Sequence, residues 1–177
     1  MRSPFHDIRT AARRVVCVAA VMLTVCLPFL AGSCTSIDCP VQNTVRTVYA
    51  FQKADGAVDT LKDTMTVIST RVNRTDTTLL NWCTGIKQFS LPIGYTNPED
   101  TLYFVFLGGS FRAIDTVWIK KENIPHFESV DCNAAFFHEL TAVRSTHHAI
   151  DSIVIKNPSV TYDPTTEHFH LYLKGHR

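Results

Sequence analysis

The sequence lacks the features by which several common classes of protein are recognised. Residues 1–33 hold four of the 17 basic and one of the 16 acidic residues, so the other 144 residues carry 13 basic and 15 acidic side chains. Without a basic excess or a run of Lys and Arg, we expect no nucleic-acid partner. No apolar run after residue 33 approaches the length of about 20 residues that a transmembrane helix needs. What remains has the size and composition of one ordinary domain.

Sequence signatures of enzymes are also missing. The run His138-Glu139-Leu140-Thr141-Ala142 begins like the helix motif of zinc proteases but lacks the second histidine at position 142. Gly109-Ser110-Phe111 lacks the Gly-x-Ser-x-Gly frame of a nucleophile elbow. No Ser-x-x-Lys motif and no glycine-rich phosphate loop before a helix occur. We therefore predict no catalytic residue and no cofactor, and nothing in the sequence supports an enzymatic activity.

The first 34 residues, in contrast, have the segment order of a lipoprotein export signal. Four arginines precede an apolar run, Val15–Leu30, which leads directly into Leu30-Ala31-Gly32-Ser33-Cys34. The run is too short for a comfortable membrane span, and small residues at its end are typical of a cleavage site. The segment resembles the lipobox that bacterial lipoprotein signal peptidase reads. The resemblance implies a signal peptide at 1–33, a lipidated Cys34 and a short tether over 34–43.

This interpretation places the protein in the bacterial cell envelope, attached to a membrane by its N-terminal lipid. Several acyl chains on Cys34 hold a protein firmly, whereas a single chain is marginal. The next residues, Thr35-Ser36-Ile37-Asp38, lack the acidic cluster that resembles a surface-export signal in such bacteria. We therefore expect an outer-membrane protein that faces the periplasm.

Period-2 patterns dominate the remainder, residues 44–177, and no segment shows a sustained apolar stripe of period 3.6. Short β-rich segments with turn signals about every ten residues predict an all-β fold, an antiparallel β-sandwich of Ig-like type with 8–10 strands. A small barrel is the alternative, and only Ala134–Leu140 would allow a helical turn. The predicted strands are Val45–Phe51, Thr64–Thr70, Asp76–Trp82, Lys87–Ile93, Leu102–Leu107, Ala113–Lys120, Phe136–Val143, Ile150–Lys156 and Phe169–Lys174.

Three cysteines remain in this domain if Cys34 is acylated, and an oxidising compartment favours disulfides. An odd number leaves one thiol over. We predict a bridge between Cys39 and Cys132, which would close a long loop and stabilise the fold by about 3–4 kcal/mol. Cys83 is then free, either as a buried small apolar residue in a strand or as a reactive or metal-binding thiol.

The second half of the chain contains several distinctive runs: His126-Phe127-Glu128-Ser129-Val130-Asp131-Cys132, Phe136-Phe137-His138-Glu139-Leu140, Ile150-Asp151-Ser152-Ile153-Val154-Ile155, Val160-Thr161 and His168-Phe169-His170-Leu171-Tyr172-Leu173. Together they resemble an uncharacterised family of Bacteroidota lipoproteins that has a domain of unknown function. The likeness covers about Cys39 to Lys174 and is most specific around Asp131-Cys132, and Cys39-Pro40 also fits, which supports the proposed bridge. It implies the compartment and the extent of the domain, and no catalytic residue.

Seven of the eight histidines lie after residue 125. In the last strand, period-2 geometry predicts that His168 and His170 share one face, about 7 Å apart, which would let two imidazoles hold one metal ion. His147, or alternatively His148 or Glu139, would supply the third ligand. The competing interpretation is a solvated strand face that happens to be rich in histidine.

A short pattern recurs along the domain: Asp, then Ser or Thr, then Thr or an apolar residue. It resembles the acceptor motif of a general protein O-glycosylation system in the same bacterial group. The simpler account is that Asp closes a turn and a β-branched residue opens a strand. The hydroxyl residues are Thr60, Thr64, Thr77, Thr101, Thr116 and Ser152.

Two functions are consistent with these patterns. The first is a non-enzymatic, lipid-anchored binding or assembly module whose target is an outer-membrane protein, another lipoprotein or a glycan. The second is a metal-binding protein or metal-dependent hydrolase built on the histidine face. Trp82 and Trp118 both lie in strand patterns, and we expect both to pack in the core, which counts against a glycan.

Overall fold

The computed structural model describes residues 45–70, 76–109, 111–127, 129, 132 and 135–175. The chain divides into two compact units, Met1–Asp38 and Cys39–Arg177, and every described residue belongs to the second. The predicted signal peptide, the tether, Cys34 and Cys39 lie outside the described residues. Within the described ranges, no helix is long and apolar enough to cross a bilayer.

The described residues form strands and loops, as the period-2 patterns predict. Each of the nine predicted strands is present, with bounds that differ by a few residues at most except in one long strand. The strands are β1 (Arg46–Phe51), β2 (Thr64–Thr70), β3 (Asp76–Cys83), β4 (Gln88–Pro92), β5 (Glu99–Gly108), β6 (Phe111–His126), β7 (Ala135–Ser145), β8 (Ile150–Ile155), β9 (Ser159–Val160) and β10 (Phe169–Leu173).

The strands form two sheets packed as a sandwich, which confirms the predicted fold class. The small sheet has the order β4-β1-β10-β8 and the large sheet the order β3-β2-β5-β6-β7-β9. All neighbours are antiparallel except β1 and β10, which pair in parallel. This parallel pair was not predicted. A parallel pair needs a long connection, and here the whole domain lies between the two strands.

Aromatic side chains fill the space between the sheets. The Tyr49 ring stacks between Phe89 and Phe169, with ring centroids 4.9 and 4.8 Å away, and meets Phe104 edge-on at 6.2 Å. All four residues lie on the inward phase of their strands and are buried. Alternate residues of a strand face opposite sides of its sheet, so this phase accounts for the sandwich core. Aromatic pairs of this kind add stability beyond the area that they bury.

The longest strand, β6, extends six residues beyond its predicted end. It pairs with β5 over Phe111–Lys120 and with β7 from Val117 to His126. The register shifts between Lys120 and Lys121, whose partners are Ala142 and Leu140, so that Thr141 forms a β-bulge. The helical turn allowed over Ala134–Leu140 is wrong from Ala135 onward, because β7 begins there and pairs with the end of β6.

Candidate functional site

The histidine face on β10 is only partly formed. The predicted alternation of inward and outward side chains holds from Phe169 onward, since Phe169 and Leu171 are buried in the core while His170 is half-buried on the other face. The Nε2 atom of His170 lies 3.0 Å from Glu167 Oε2. His168 was predicted to lie on a solvated face, and this is wrong: it precedes the strand and is 0 % exposed.

His168 is instead part of the packing between the end of the preceding loop and β1. The Val48 amide donates to His168 Nδ1 at 3.0 Å, and the His168 amide donates to the Val48 carbonyl at 2.9 Å. Burial lowers the pKa of this imidazole, although the Ser159 backbone and the Asp163 carboxylate act in the opposite direction. A neutral ring that accepts a backbone hydrogen bond is a structural element of the fold.

The third predicted ligand lies elsewhere. His147 is exposed, and its Nδ1 is 2.8 Å from the carbonyl oxygen of Asp151. Across the described part of the chain, no three His, Cys, Asp or Glu side chains are grouped so that they could hold a metal ion. The structure therefore does not bring His147, His168 and His170 together, and a metal site there stays a prediction.

The two tryptophans were expected in the core, and neither lies there. Trp82 is 68 % exposed on β3 and has a φ of 52°, in the left-handed region that bulky residues rarely adopt. Trp118 is half-buried, and the Arg144 guanidinium carbon lies 4.0 Å from its ring centroid. Cys83 is free and half-buried, so it is less enclosed than expected. Its neighbour Trp82 is the more exposed of the two.

All six candidate glycosylation residues are half-buried, so none is either in the core or fully exposed. Two of the preceding aspartates, Asp100 and Asp115, hold buried groups rather than closing simple turns. Glycosylation stays a prediction. The six residues are Thr60, Thr64, Thr77, Thr101, Thr116 and Ser152.

At one end of the sandwich the inner face of the large sheet becomes polar. Lys121, whose side chain is 0 % exposed, places its Nζ 2.8 Å from Asp100 Oδ2. Next to it, His138 Nδ1 lies 2.8 Å from Asn123 Oδ1. Burial lowers the pKa of His138 to about 4, and the positive charge of Lys121 lowers it as well, while Asp100 acts to raise it. We call these four residues the polar cluster.

The loop between β4 and β5 closes over the polar cluster. The Gly94 amide donates to Asp100 Oδ2 at 3.2 Å, Lys121 Nζ donates to the Asn97 carbonyl at 3.0 Å, and Asn123 Nδ2 donates to the Tyr95 carbonyl at 2.8 Å. The Tyr95 ring also stacks on Phe136, with centroids 5.0 Å apart. Buried polar groups need partners, and this loop supplies them. The cluster is thus a covered structural element.

The opposite end of the sandwich has an open groove, and a single buried carboxylate holds the turn beside that groove. Asp115, on β6, is 0 % exposed. Its Oδ1 accepts from Thr146 Oγ1 at 2.8 Å and from the His148 amide at 2.7 Å. Its Oδ2 accepts from the Ala149 and Ile150 amides at 2.7 and 2.8 Å. Burial raises the pKa of Asp115, but these four hydrogen bonds together lower it below its usual value.

The Asp115 contacts fix the turn that carries His147 and His148 beside the start of β6. Between this turn and β6 lies a groove of about 440 Å³, which we call the β6 groove. It combines exposed apolar, cationic and imidazole side chains on a rigid frame. Its lining residues are Phe111, Arg112, Ala113, Ile114, His147 and His148.

The outer face of the large sheet continues from the β6 groove. Ile114 pairs with Val105 across β5 and β6, Val105 pairs with Thr66 on β2, and the neighbouring rows carry further apolar residues. Except for Ile114, which is 43 % exposed, these apolar side chains are half-buried, and none belongs to the core cluster. We call the following set the outer apolar face: Ile68, Tyr103, Val105, Leu107, Ile114 and Trp118.

The residues that build both ends were not predicted from the sequence. Asp115 and Lys121 alternate with the buried Val117 and Ile119 on β6, so they occupy the inward phase of an apolar strand. A charged residue at such a position was the available signal, because a buried charge needs specific partners. The predicted strand covered Asp115 but ended at Lys120, one residue before Lys121, and the inward roles of the two charged residues were not predicted.

One comparison with known proteins finds a matching family. The model of DUF6452, a family of unknown function, matches residues 64–173, more than half of the chain, so the chain belongs to that family. The match runs from the first residue of β2 to the last residue of β10. A search of the curated proteins finds no match, and a search of the solved structures finds none either.

Proposed function

We propose that this member of the DUF6452 family is a non-enzymatic, lipid-anchored protein of the bacterial cell envelope that works as a binding or assembly module. The outer apolar face is the observation that carries the proposal. Antiparallel sheets commonly leave one face to water, and that face is then mostly polar. Here aliphatic and aromatic side chains lie partly exposed on three adjacent strands, β2, β5 and β6.

The outer face of the small sheet carries more polar residues, among them Gln88 and His170, and Val154 is its exposed large apolar residue. Arg46 and Ser90 join its edge strand β4 to β1 by hydrogen bonds. Apolar surface of the kind on the large sheet is typical of protein contact sites when polar groups surround it. The partner that fits a flat apolar face of this kind is another envelope protein.

Site-specific photocrosslinking in intact cells tests this proposal. A photoreactive residue at Val105 should give one discrete protein adduct, whereas the same residue at Val154 on the outer face of the small sheet should give none. Val154 is a stringent control because its side chain is 43 % exposed, more than that of Val105. Adducts at both positions, or at neither, would contradict a contact function of the large sheet.

The anchor belongs to the same proposal. It comprises a signal peptide at 1–33, lipid on Cys34 and an outer-membrane position facing the periplasm, and the order of basic, apolar and small residues in the first 34 positions supports it. Cys34→Ala should release the protein from the membrane fraction, because acyl chains would be its only anchor. Sedimentation of the variant with membranes after a salt wash would reject the anchor, and removal of the domain by protease from intact cells would reject its facing.

We also propose the bridge between Cys39 and Cys132. The disulfide-bonded state of Cys132 and the free state of Cys83 support it. A bridge from the start of the domain to the β6–β7 connection would restrict the unfolded chain. Peptide mapping without reduction should recover Cys39 joined to Cys132, and a peptide that joins Cys83 to either residue would reject the pairing.

A further inference from the structure

We propose that the β6 groove binds an extended acidic segment of a partner protein, which adds to the sheet as a strand beside Phe111–Ile114. The inference rests on the proposed binding function and names the chemistry of the partner at one place. Four observations carry it: an unpaired strand edge, an unpaired guanidinium, exposed apolar side chains and a preformed wall.

The edge is the first observation. The ladder between β6 and β7 begins with the pair Val117 and Ser145. Just before it, the Thr116 amide donates to Thr146 Oγ1 at 2.8 Å, and the Thr116 carbonyl accepts from the Thr146 amide at 2.9 Å. The chain then turns away toward β8 in the other sheet.

The direction of the backbone groups follows from this pattern. In an antiparallel sheet, alternate residues direct their N–H and C=O groups to the same side of the strand. Since Thr116 directs both groups away from β5, Arg112 and Ile114 do the same, and no described strand meets them on that side. Two donors and two acceptors therefore face the groove, and an added strand is the ligand that satisfies such a row.

The charged side chains of the β6 groove indicate which kind of strand would bind there. The Arg112 side chain is exposed and has no ion pair or hydrogen bond with any described residue. The opposite wall of the groove carries the imidazoles of His147 and His148. A guanidinium presents a planar fork of donors that matches a carboxylate, so an acidic side chain on the added strand would meet Arg112 directly.

The apolar residues and the wall complete the site. Phe111 is 36 % exposed and lies on the opposite face of β6 from Arg112 and Ile114. An added strand that alternates acidic and apolar residues would therefore place its apolar side chains beside Phe111 and its acidic ones beside Arg112. Asp115 holds the His147-His148 turn by four hydrogen bonds, and Lys174 Nζ donates to the His147 carbonyl. A rigid wall lowers the entropy that is lost when the segment binds.

Binding of a short probe peptide to the full-length protein in detergent micelles tests the proposal by amide NMR. The acidic probe is acetyl-Ile-Glu-Ile-Glu-Ile-amide, and acetyl-Ile-Gln-Ile-Gln-Ile-amide is the neutral control. We expect the acidic peptide to bind at least about tenfold more tightly and to shift the amides of Arg112 and Ile114. Equal binding of the two peptides, or shifts confined to other strands, would overturn the proposal.

Three variants separate the interactions. Arg112→Gln should weaken the acidic peptide about tenfold, whereas Lys120→Gln, an exposed cation on the same strand, should not. Ile114→Pro removes one free N–H without touching the ladder to β5, and it should abolish binding while the fold persists. If this variant does not fold, the pair Arg112→Gln and Lys120→Gln decides, and equal effects of those two substitutions would overturn the proposal.

Other occupants give different results. Competition by dihexanoyl-phosphatidylglycerol at Arg112 and Ile114, without any effect of the acidic peptide, would mean an anionic lipid and would overturn the proposal. Shifts of the same amides that grow with protein concentration alone would mean a second copy of this chain and would do the same. An adduct at Val105 together with a groove that binds no peptide would leave the proposed function standing and reject this inference.

Discussion

Asp115 and Lys121, toward the two ends of β6, both point into the same core, but their surroundings differ. At one end Asp115 accepts four hydrogen bonds from a single turn, and the groove beside it stays open. At the other end Lys121 pairs with Asp100 and the loop between β4 and β5 covers the charges. Only the two buried apolar residues Val117 and Ile119 separate the charged positions on the inward phase.

The difference shows which end is built for contact. The polar cluster is satisfied by the chain itself, because its charges meet each other and the carbonyls of a covering loop. At the open end the buried carboxylate is equally satisfied, but it leaves Arg112 and the edge of β6 facing water. The buried carboxylate has all its hydrogen bonds, and it holds in place a surface whose polar groups have no partner among the described residues. This arrangement is expected of a preorganised binding site.

The largest effect should come from removing the carboxylate at the open end. Asp115→Ala leaves one hydroxyl and three amides without their acceptor, so we expect a loss of about 3–5 kcal/mol in the free energy of unfolding. Denaturant unfolding measures this loss. The exposed carboxylate of Asp151, at the start of β8, is the control, and Asp151→Ala should change stability by less than about 0.5 kcal/mol. Similar losses in both variants would mean that Asp115 does not organise this end.

A smaller loss should follow at the closed end. Lys121→Met removes the charge that pairs with Asp100, whose side chain is 19 % exposed and also accepts from the Gly94 amide. We expect a loss of about 2–3 kcal/mol in the free energy of unfolding, because a hydrogen bond between charged groups is lost and partial hydration compensates for some of it. A loss as large as that of Asp115→Ala would remove the contrast between the two ends.

The acid dependence of stability should also report the closed end. The pKa of His138 is about 4 in the folded protein against an ordinary value of 6.5, so between these values the unfolded state binds more protons. Stability should therefore fall as the pH is lowered from 6.5 to 4, by up to about 1.4 kcal/mol per pH unit from this residue. His168, whose pKa is also lowered, adds to the loss in the same direction.

Two variants assign this dependence to His138. His138→Gln should reduce the slope of stability against pH in that window, measured as the denaturation midpoint. Lys121→Met should raise the pKa of His138 in an NMR titration, because it removes a positive charge that lowers this pKa, while burial keeps it below 6.5. An unchanged slope in the first variant, or a further fall of the pKa in the second, would contradict this assignment.

The sequence predicted the strands and the sandwich because both depend on a local period-2 pattern. The predicted strand Thr64–Thr70 has the observed bounds. The parallel pair of β1 and β10 depends on which distant strands meet, and no local pattern determines that. The sandwich was thus predictable, but the parallel pair within it was not.

The site was less predictable, since charged residues have different roles at the surface and in the core. The histidines after residue 125 suggested a metal, but the alternation that predicted a shared face did not extend to His168, which precedes its strand. The open edge of β6 exists because β7 ends at Ser145 and the chain leaves for the other sheet. The position at which β7 ends depends on tertiary pairing, so the sequence of β6 alone could not predict the open edge.

Amide hydrogen exchange along β6 in the free protein tests the central claim most directly. If the strand edge is open, Arg112 and Ile114 should exchange rapidly, whereas Trp118 and Lys120, which pair with Arg144 and Ala142, should be protected. Addition of the acidic probe peptide should then slow exchange at Arg112 and Ile114 alone. Strong protection of those two amides in the free protein would show that the edge is already paired, and it would contradict the account.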